Sequence, residues 1–218
     1  MSARPITVTL SAPFGAGGSA IGPKLAQRLG VPFYNRAIAT AVSTELGIDL
    51  ESVLVHDGRA PTGVGRLLSA VGRMQSGPLG GLDGYLFTEA PMVDEKEIAE
   101  RTAGVVRDIA DGDGGVILGR ASAIVLAGHP NTVHVRLDGP IESRIKQAMQ
   151  LSGMDEKTAR ARQGPTDAAR EAYAKRLFGR DPRDPLLYHL ILNSSAISWD
   201  ACVEIMLTAV EDVTGPRA

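Results

Sequence analysis

The chain has 218 residues, of which 44% are hydrophobic, and this suits one α/β domain with a lobe or insertion. A net charge of −2 argues against a general nucleic-acid-binding surface. The single cysteine, Cys202, excludes an internal disulfide and a cysteine metal cluster, which fits a reducing compartment.

Membrane and export signals are missing from the sequence. The N-terminal stretch MSARPITVTL lacks the apolar core of a signal peptide, and no stretch approaches 18 uninterrupted apolar residues. We therefore expect a cytoplasmic protein that does not enter a membrane. The four histidines show no metal-ligand spacing, and we assign His134 and His189 to strand packing.

The segment ITVTLSAPFGAGGSAIGPKLAQRLGVPFYN, residues 6–35, runs from an apolar strand pattern through a glycine-rich turn into a helical pattern. This order is typical of a phosphate-binding loop, because glycines allow positive φ and the first N–H groups of a helix are unpaired. A plain tight connection between strand and helix is the alternative. The residues expected to bind a nucleotide phosphate are Gly15, Ala16, Gly17, Gly18 and Ser19.

Two chemical groups of the usual motif GxxxxGK[ST] are missing at the positions that we assign to them. Gly18 takes the place of the phosphate-binding lysine, and Ala20 is assigned the place of the Mg²⁺-binding hydroxyl. Lys24 lies about 9 Å further along the helix axis and on another face, so we do not expect it to replace the lysine. Ser19 or water is expected to complete the Mg²⁺ shell, and no protein metal cluster is predicted.

Short apolar runs alternate with helical patterns along the chain, which predicts a doubly wound parallel sheet of five strands. Asp94 with Glu97 is typical of a helix start before 95–111, and Ser198 precedes a final helix. Ligands of such sheets bind beyond the carboxyl ends of the strands. The predicted strands are Ile6–Leu10, Val31–Tyr34, Val116–Leu118, Thr132–Leu137 and His189–Leu192.

We interpret residues 1–218 as one domain with two additions. The glycine-rich segment 48–93 is predicted to be an insertion on the ligand face, with a disordered loop as the alternative. Segment 155–187 is predicted to be a lid. The remaining parts form the core, at 1–47, 94–154 and 188–218.

Arginine recurs at positions where a phosphate would be bound. Arg120 follows the third predicted strand, where a guanidinium grips phosphate with two parallel hydrogen bonds, although it could instead pair with a carboxylate. The basic segment 155–178 places Asp167 three residues before Arg170, on one helix face. Gly164-Pro165 is a turn signal that predicts a hinge between two helices. A solvated helix face is the alternative for this segment.

The sequence resembles the cytidylate kinase-like family, a bacterial branch of the nucleoside monophosphate kinases, over nearly its whole length. The resemblance rests on FGAGGSAIGPKLAQRLGVPFYNR, VILGRASAIV, VHVRLDGPIESRI, TDAAREAYAKRLFG and LILNSS. It implies a P-loop kinase core with a monophosphate-binding insertion and a helical lid. It also implies ATP and Mg²⁺ as cofactors and transfer of the γ-phosphoryl group to CMP or dCMP.

The resemblance also implies roles for individual residues. Arg120, Asp167 and Arg170 would be catalytic and would contact the substrate, together with Asn35 and Arg36 in the monophosphate site. Small-molecule nucleotides are then the expected partners, while the oligomeric state stays open. Because Gly18 and Ala20 depart from the motif, a catalytically degenerate kinase fold that binds a nucleotide or phosphate and regulates another process is the alternative.

Overall fold

A five-stranded, all-parallel sheet in the order β2-β3-β1-β4-β5 organises the protein. The computed structural model describes residues 5–35, 37–48, 50, 53 and 94–215. The strands are β1 (Thr7–Ser11), β2 (Phe33–Tyr34), β3 (Gly115–Leu118), β4 (Thr132–Asp138) and β5 (Leu190–Asn193). Each overlaps one of the five predicted runs, so the predicted α/β class and doubly wound sheet are confirmed.

Helices lie on both faces of this sheet. The α-helices in the described residues are α1 (Gly18–Leu29), α2 (Ala37–Leu46), α3 (Glu95–Asp111), α4 (Ser122–Val125), α5 (Ile141–Ser152), α6 (Glu156–Phe178) and α7 (Trp199–Thr214). A short 3₁₀ turn, Pro185–Leu187, leads into β5. The predicted caps are present, since Asp94 accepts from the Lys96 N–H and Ser198 from the Ala201 N–H.

Alternating side chains of the strands divide the core into two layers. On one face, Val8, Leu10 and Val116 pack with α1 and α7. On the other face, Ile117 packs with α3 and α4. Because the central strands are covered on both faces, their carboxyl ends are the edge at which polar side chains converge.

His134 lies within β4, as predicted, whereas His189 lies directly before β5, which begins at Leu190, and not in the strand. His134 is buried, its Nδ1 lies 2.8 Å from the Thr9 hydroxyl, and its ring stacks on His189 at 5.2 Å between centroids. Burial, followed by the charge of His189, lowers the pKa of His134 to about 4. A neutral ring at physiological pH is therefore part of the packed sheet.

The predicted hinge at Gly164-Pro165 is wrong, because α6 continues without interruption from Glu156 to Phe178. A Gly-Pro pair is a local signal, whereas this helix is held by side-chain contacts at both sides of the pair. Asp167 and Arg170 bond to the loop after β1, and Arg160 bonds to Glu142 of α5. The helix is therefore continuous across the Gly164-Pro165 pair.

Two sequence predictions fall on residues that the structure does not describe. The predicted insertion at 48–93 lies almost entirely outside the described residues, as does Arg36. Among the helices that are described, none is long and apolar enough to cross a membrane.

Replacing Pro165 with alanine should stabilise the protein. An interior proline costs about 3 kcal/mol relative to alanine in a helix, partly offset because proline also restricts the unfolded chain. We expect Pro165→Ala to raise the free energy of unfolding by about 1–3 kcal/mol, measured by urea denaturation with circular dichroism. Ala168→Gly, at another exposed position of α6, should lower it by about 1 kcal/mol. A loss of helical signal in Pro165→Ala would contradict a continuous helix.

Candidate functional site: the loop after β1 and its pocket

The loop between β1 and α1 has the backbone shape of an anion cradle. Gly15 and Gly17 adopt left-handed conformations with φ of 75° and 76°, and Gly17 caps the N-terminus of α1. Both residues also approach other elements closely. A Cβ on Gly15 would lie 2.0 Å from the backbone oxygen of Arg144. Glycine is therefore required at Gly15 by both conformation and space.

Carbonyl groups of this loop are tied back by the surrounding elements. Arg170 donates to the Ala12 oxygen at 2.6 Å, and Arg144 donates to the Phe14 oxygen at 2.7 Å. The Ser194 hydroxyl donates to the Ala16 oxygen at 2.9 Å, and Ala16 N–H itself donates to Pro13 at 3.1 Å. Each of the three side-chain hydrogen bonds therefore engages the partial negative charge of a loop carbonyl oxygen.

The N–H groups of the loop are in the opposite situation. Within the part of the chain that the structure describes, four of them have no hydrogen-bond acceptor: Gly15, Gly17, Gly18 and Ser19. They lie at the N-terminus of α1, where the helix dipole adds a partial positive charge. Carbonyls held outward and free amides at a helix start are the arrangement that binds phosphate oxygens.

Packing explains the absence of a lysine at Gly18. A Cβ there would lie 2.7 Å from Leu118 Cδ1 and 2.9 Å from the Ala12 side chain. A lysine would require both neighbours to move. Lys24 does not take the place of this lysine in the structure, as expected. Its ammonium pairs with Asp200 at 2.6 Å on the exposed α1–α7 surface.

The position of the helix start corrects the assignment of Ala20. Gly17 caps α1 and Gly18 is its first residue, so the residue directly after the lysine position is Ser19. Ser19 is exposed and lines the pocket. The hydroxyl that the motif requires is therefore present in the sequence, whereas Ala12 stands at the first glycine of the motif and Gly18 at the lysine. The assignment of Ala20 to the Mg²⁺-binding hydroxyl is therefore wrong, and Ser19 holds that position of the motif.

Arg120 lies beyond the end of β3 in an uncommon backbone conformation. Gly119, Arg120 and Ala121 follow one another with φ of 79°, 61° and 51°. A long side chain in the left-handed region is rare and concentrates at functional sites. The guanidinium is buried at 6% exposure, and its Nη2 donates to the Asn35 carbonyl at 3.3 Å.

Electrostatics around Arg120 favour an anion in the pocket. Burial lowers the pKa of Arg120 to about 10, Tyr173 raises it in part, and the charge of Arg170 lowers it further. A desolvated guanidinium with a second cation nearby gains stability from any negative charge placed between them. Arg120 and Arg170 therefore add positive charge to the pocket that the loop also lines.

Asp167 and Arg170, the predicted pair, both contact the loop. They lie on the same face of α6 because they are three residues apart. Their observed partners are loop backbone groups: the Phe14 N–H donates to Asp167 at 2.7 Å, and Arg170 donates to the Ala12 oxygen. Asp167 also accepts from Gln163 at 2.8 Å. Helix α6 is thus docked on the loop after β1.

Arg144 was missed by the sequence interpretation. It is 5% exposed, and its guanidinium donates to Gly139, to Phe14 and to Asp167. The available signal was an arginine on the apolar face of α5, beside the buried Ile145 and Ala148. A charge in such a position needs polar partners that the sequence does not show.

Other basic residues of the segment 155–178 form surface ion pairs. Arg160 pairs with Glu142 and Glu156, Lys175 with Asp181, and Arg176 with Glu95. For these three residues the solvated-face alternative is correct, because their side chains are largely exposed.

The pocket enclosed by these groups has a volume of about 330 Å³. Its floor is the loop from Ser11 to Ser19, and its walls include Asn35, Arg120 and the α6 face. Among the described residues, no group of three histidine, cysteine, aspartate or glutamate side chains is arranged to hold a metal. The volume and the charge of the pocket therefore suit an anionic ligand of small-molecule size.

The strand order and the glycine loop at the end of β1 define a P-loop kinase fold. An uncharacterised protein from Eubacterium ventriosum shares the fold with a TM-score of 0.63 and 20% identity, covering 94% of this chain and 98% of that chain. Shikimate kinase from Acinetobacter baumannii, in complex with shikimate, gives a TM-score of 0.50 and 14% identity, covering 96% and 95%. The chain belongs to the cytidylate kinase-like family, whose family model matches residues 7–196.

Curated relatives match shorter stretches. A cytidylate kinase from Methanopyrus kandleri is 32% identical over 108 residues, which cover 45% of this chain and 56% of that protein. A uronate isomerase from Corynebacterium glutamicum is 31% identical over 103 residues, 46% of this chain and only 20% of that protein. The chain therefore spans about half of one curated relative and a fifth of the other.

Gly15→Ala should abolish anion binding. The added methyl would require a left-handed alanine and would overlap the Arg144 carbonyl, so the loop amides must move. We expect pyrophosphate binding, measured by titration calorimetry, to fall below detection. Gly30→Ala is the matched control, since Gly30 has φ of 68° but no atom near the added Cβ. It should cost about 1 kcal/mol of stability and leave binding unchanged. Equal binding by Gly15→Ala would remove the loop from the site.

Proposed function

We propose that this protein is a nucleoside monophosphate kinase that transfers the γ-phosphoryl group of ATP to a pyrimidine monophosphate, CMP or dCMP. The observation that carries the proposal is that one pocket is lined by the four loop residues with free amides and by the buried Arg120. Family membership supports the reaction class, and the curated cytidylate kinase supports the acceptor class. We also propose the cytoplasm as its location and small-molecule nucleotides, rather than nucleic acids or membranes, as its partners.

In this proposal the loop binds the donor phosphates. The amides of Gly15, Gly17, Gly18 and Ser19, with the backbone of Ala16 between them, surround the β-phosphate, and the helix dipole of α1 adds to their attraction. Arg120 and Arg170 stabilise the charge that spreads over the transferring phosphoryl group. Phosphoryl transfer requires positioning and charge stabilisation more than proton transfer, so the proposal assigns no residue as a general base.

Acceptor recognition is assigned to the end of β2 and the lid. Asn35 lines the pocket beside Arg120, and we propose that Arg36 and the insertion at 48–93 complete the monophosphate site. The family resemblance gives Asp167 a role in reading the base. In the docked arrangement both Asp167 oxygens already accept hydrogen bonds, so a contact with the acceptor requires a rearrangement of α6 or a shared bond.

The residues present fit a Mg²⁺–nucleotide complex. Ser19 would hold the ion through its exposed hydroxyl, and phosphate oxygens and water would fill the remaining positions, since Mg²⁺ retains several waters in most protein sites. Bound Mg²⁺ would neutralise phosphate charge during transfer.

A regulatory nucleotide-binding protein is the second candidate function. The packing of Leu118 and Ala12 at Gly18 favours it, because no lysine can reach the phosphates from this position without rearrangement. The same amides and arginines would then bind a nucleotide without turning it over.

A coupled ADP-release assay separates the two candidates. The purified protein is incubated with ATP and Mg²⁺ and, in turn, with CMP, dCMP, UMP or AMP. The kinase proposal expects the highest kcat/KM with CMP or dCMP. Tight ATP binding by calorimetry without turnover of any acceptor would support the regulatory candidate. A clear preference for AMP would overturn the pyrimidine assignment.

Loss of the Arg120 guanidinium should reduce turnover strongly. We expect Arg120→Ala to lower kcat by about 10²-fold or more, because one preorganised charge contact is removed. Arg120→Lys should recover little, since an ammonium cannot reproduce the bidentate fork. Arg101→Ala removes an exposed arginine paired with Glu45 and should leave kcat unchanged. Wild-type kcat in Arg120→Ala would assign Arg120 to structure alone.

A further inference from the structure

The free amides of the phosphate loop depend on groups outside the loop. A glycine-rich loop has many accessible backbone conformations, and only some of them direct consecutive N–H groups to one point. Here the loop supplies one internal bond of its own before the helix begins, from Ala16 N–H to Pro13. The remaining carbonyl contacts come from side chains of α5, α6 and the residue after β5.

Arg144 makes the most connected of these contacts. Its Nε donates to the Gly139 oxygen at 2.9 Å, which anchors the guanidinium to the end of β4. One Nη1 group then donates to both the Phe14 oxygen at 2.7 Å and the Asp167 carboxylate at 2.9 Å. The guanidinium is 5% exposed, so these bonds are made away from water.

Asp167 completes a closed ring of hydrogen bonds. Its other oxygen accepts from the Phe14 N–H at 2.7 Å, so the two backbone polar groups of Phe14 are held by one ion pair. The ring joins α5, α6 and the loop through one residue of each. Since Phe14 directly precedes Gly15, its orientation sets the start of the amide-bearing turn.

We propose that Arg144 is a positioning residue that, together with Asp167, fixes the phosphate loop in its anion-binding conformation and makes that conformation depend on the docking of α6. This role rests on the proposed nucleotide-binding function for its ligand. It differs from a role for Asp167 in reading the acceptor base, because the carboxylate acts on the loop backbone. Release of α6 would free Phe14 and scatter the loop amides.

Two variants and a matched control test the proposal. Arg144→Met removes the guanidinium and keeps a long apolar stem, while Arg144→Lys keeps the charge but cannot supply all three donor directions. The control is Arg160→Met, because Arg160 also joins α5 to α6, through Glu142 and Glu156, but it is exposed and its bonds do not reach the loop. Circular dichroism and urea denaturation confirm folding of each variant.

The first measurement is hydrogen exchange of the ligand-free protein. We expect Arg144→Met to speed exchange in peptides covering residues 12–19 and 156–178. Arg144→Lys should be intermediate, and Arg160→Met should exchange like the wild type in the loop.

The second measurement is Mg²⁺–ADP affinity by calorimetry, which should fall about 10- to 100-fold in Arg144→Met, the range expected for lost hydrogen bonds to a charged group. The third is a double-mutant cycle with Asp167→Asn, in which the double variant should lose much less than the product of the single losses.

The outcomes separate this inference from the proposed function. Unchanged loop exchange in Arg144→Met overturns the positioning role, as does faster exchange with wild-type ADP affinity. Equal loss of affinity in Arg160→Met would assign the effect to general α5–α6 packing and also overturn it. If the wild-type protein binds no ADP, the nucleotide proposal fails, and the exchange comparison still decides whether Arg144 holds the loop.

Discussion

The orientation of a few peptide groups between Ala12 and Ser19 determines what this site can do. The carbonyls of Ala12, Phe14 and Ala16 accept hydrogen bonds from side chains of three other elements, and four amides, from Gly15 and Gly17 to Ser19, have no acceptor among the described residues. Binding strength in such a cradle comes from preorganisation, because the dipoles are aligned before the ligand arrives. The loop forms the floor of the pocket, and Arg120, Arg170 and other residues of α6 line it.

The fold brings the necessary parts to one edge. Parallel pairing of β1 with β3 and β4 places the loop, Arg120 and the Asp138–Gly139 turn at neighbouring strand ends. Helices α5 and α6 then carry Arg144 and Asp167 to the loop from the side. Positive charge at this edge comes from arginines on separate elements, Arg120 after β3 and Arg170 on α6. As a consequence, the geometry of the loop relies on contacts with residues that are distant from it in the sequence.

The sequence predicted the local features of this structure well. Apolar β-branched runs located all five strands, and Asp94 and Ser198 marked two helix starts, because these signals act over a few residues. The prediction of a hinge at Gly164-Pro165 was wrong because Asp167 and Arg170 of α6 are held by partners 153 and 158 residues away in the sequence. Arg144 was missed for the same reason: its partners are backbone oxygens and a carboxylate from other segments, which residue types cannot reveal.

The uninterrupted course of α6 limits how this helix would move if it acts as the proposed lid. At 1.5 Å per residue, its 23 residues form a rod of about 34 Å, with left-handed glycines at both ends, Gly153 before it and Gly179 as its C-terminal cap. A rod does not fold over a ligand in its middle; it swings about an end. Rotation by about 10° at Gly153 displaces the far end by about 6 Å, given this length. In such a swing Asp167 and Arg170, half-way along the helix, would leave the loop together, and the pivot would lie at Gly153, between the pocket-lining residues Ser152 and Met154.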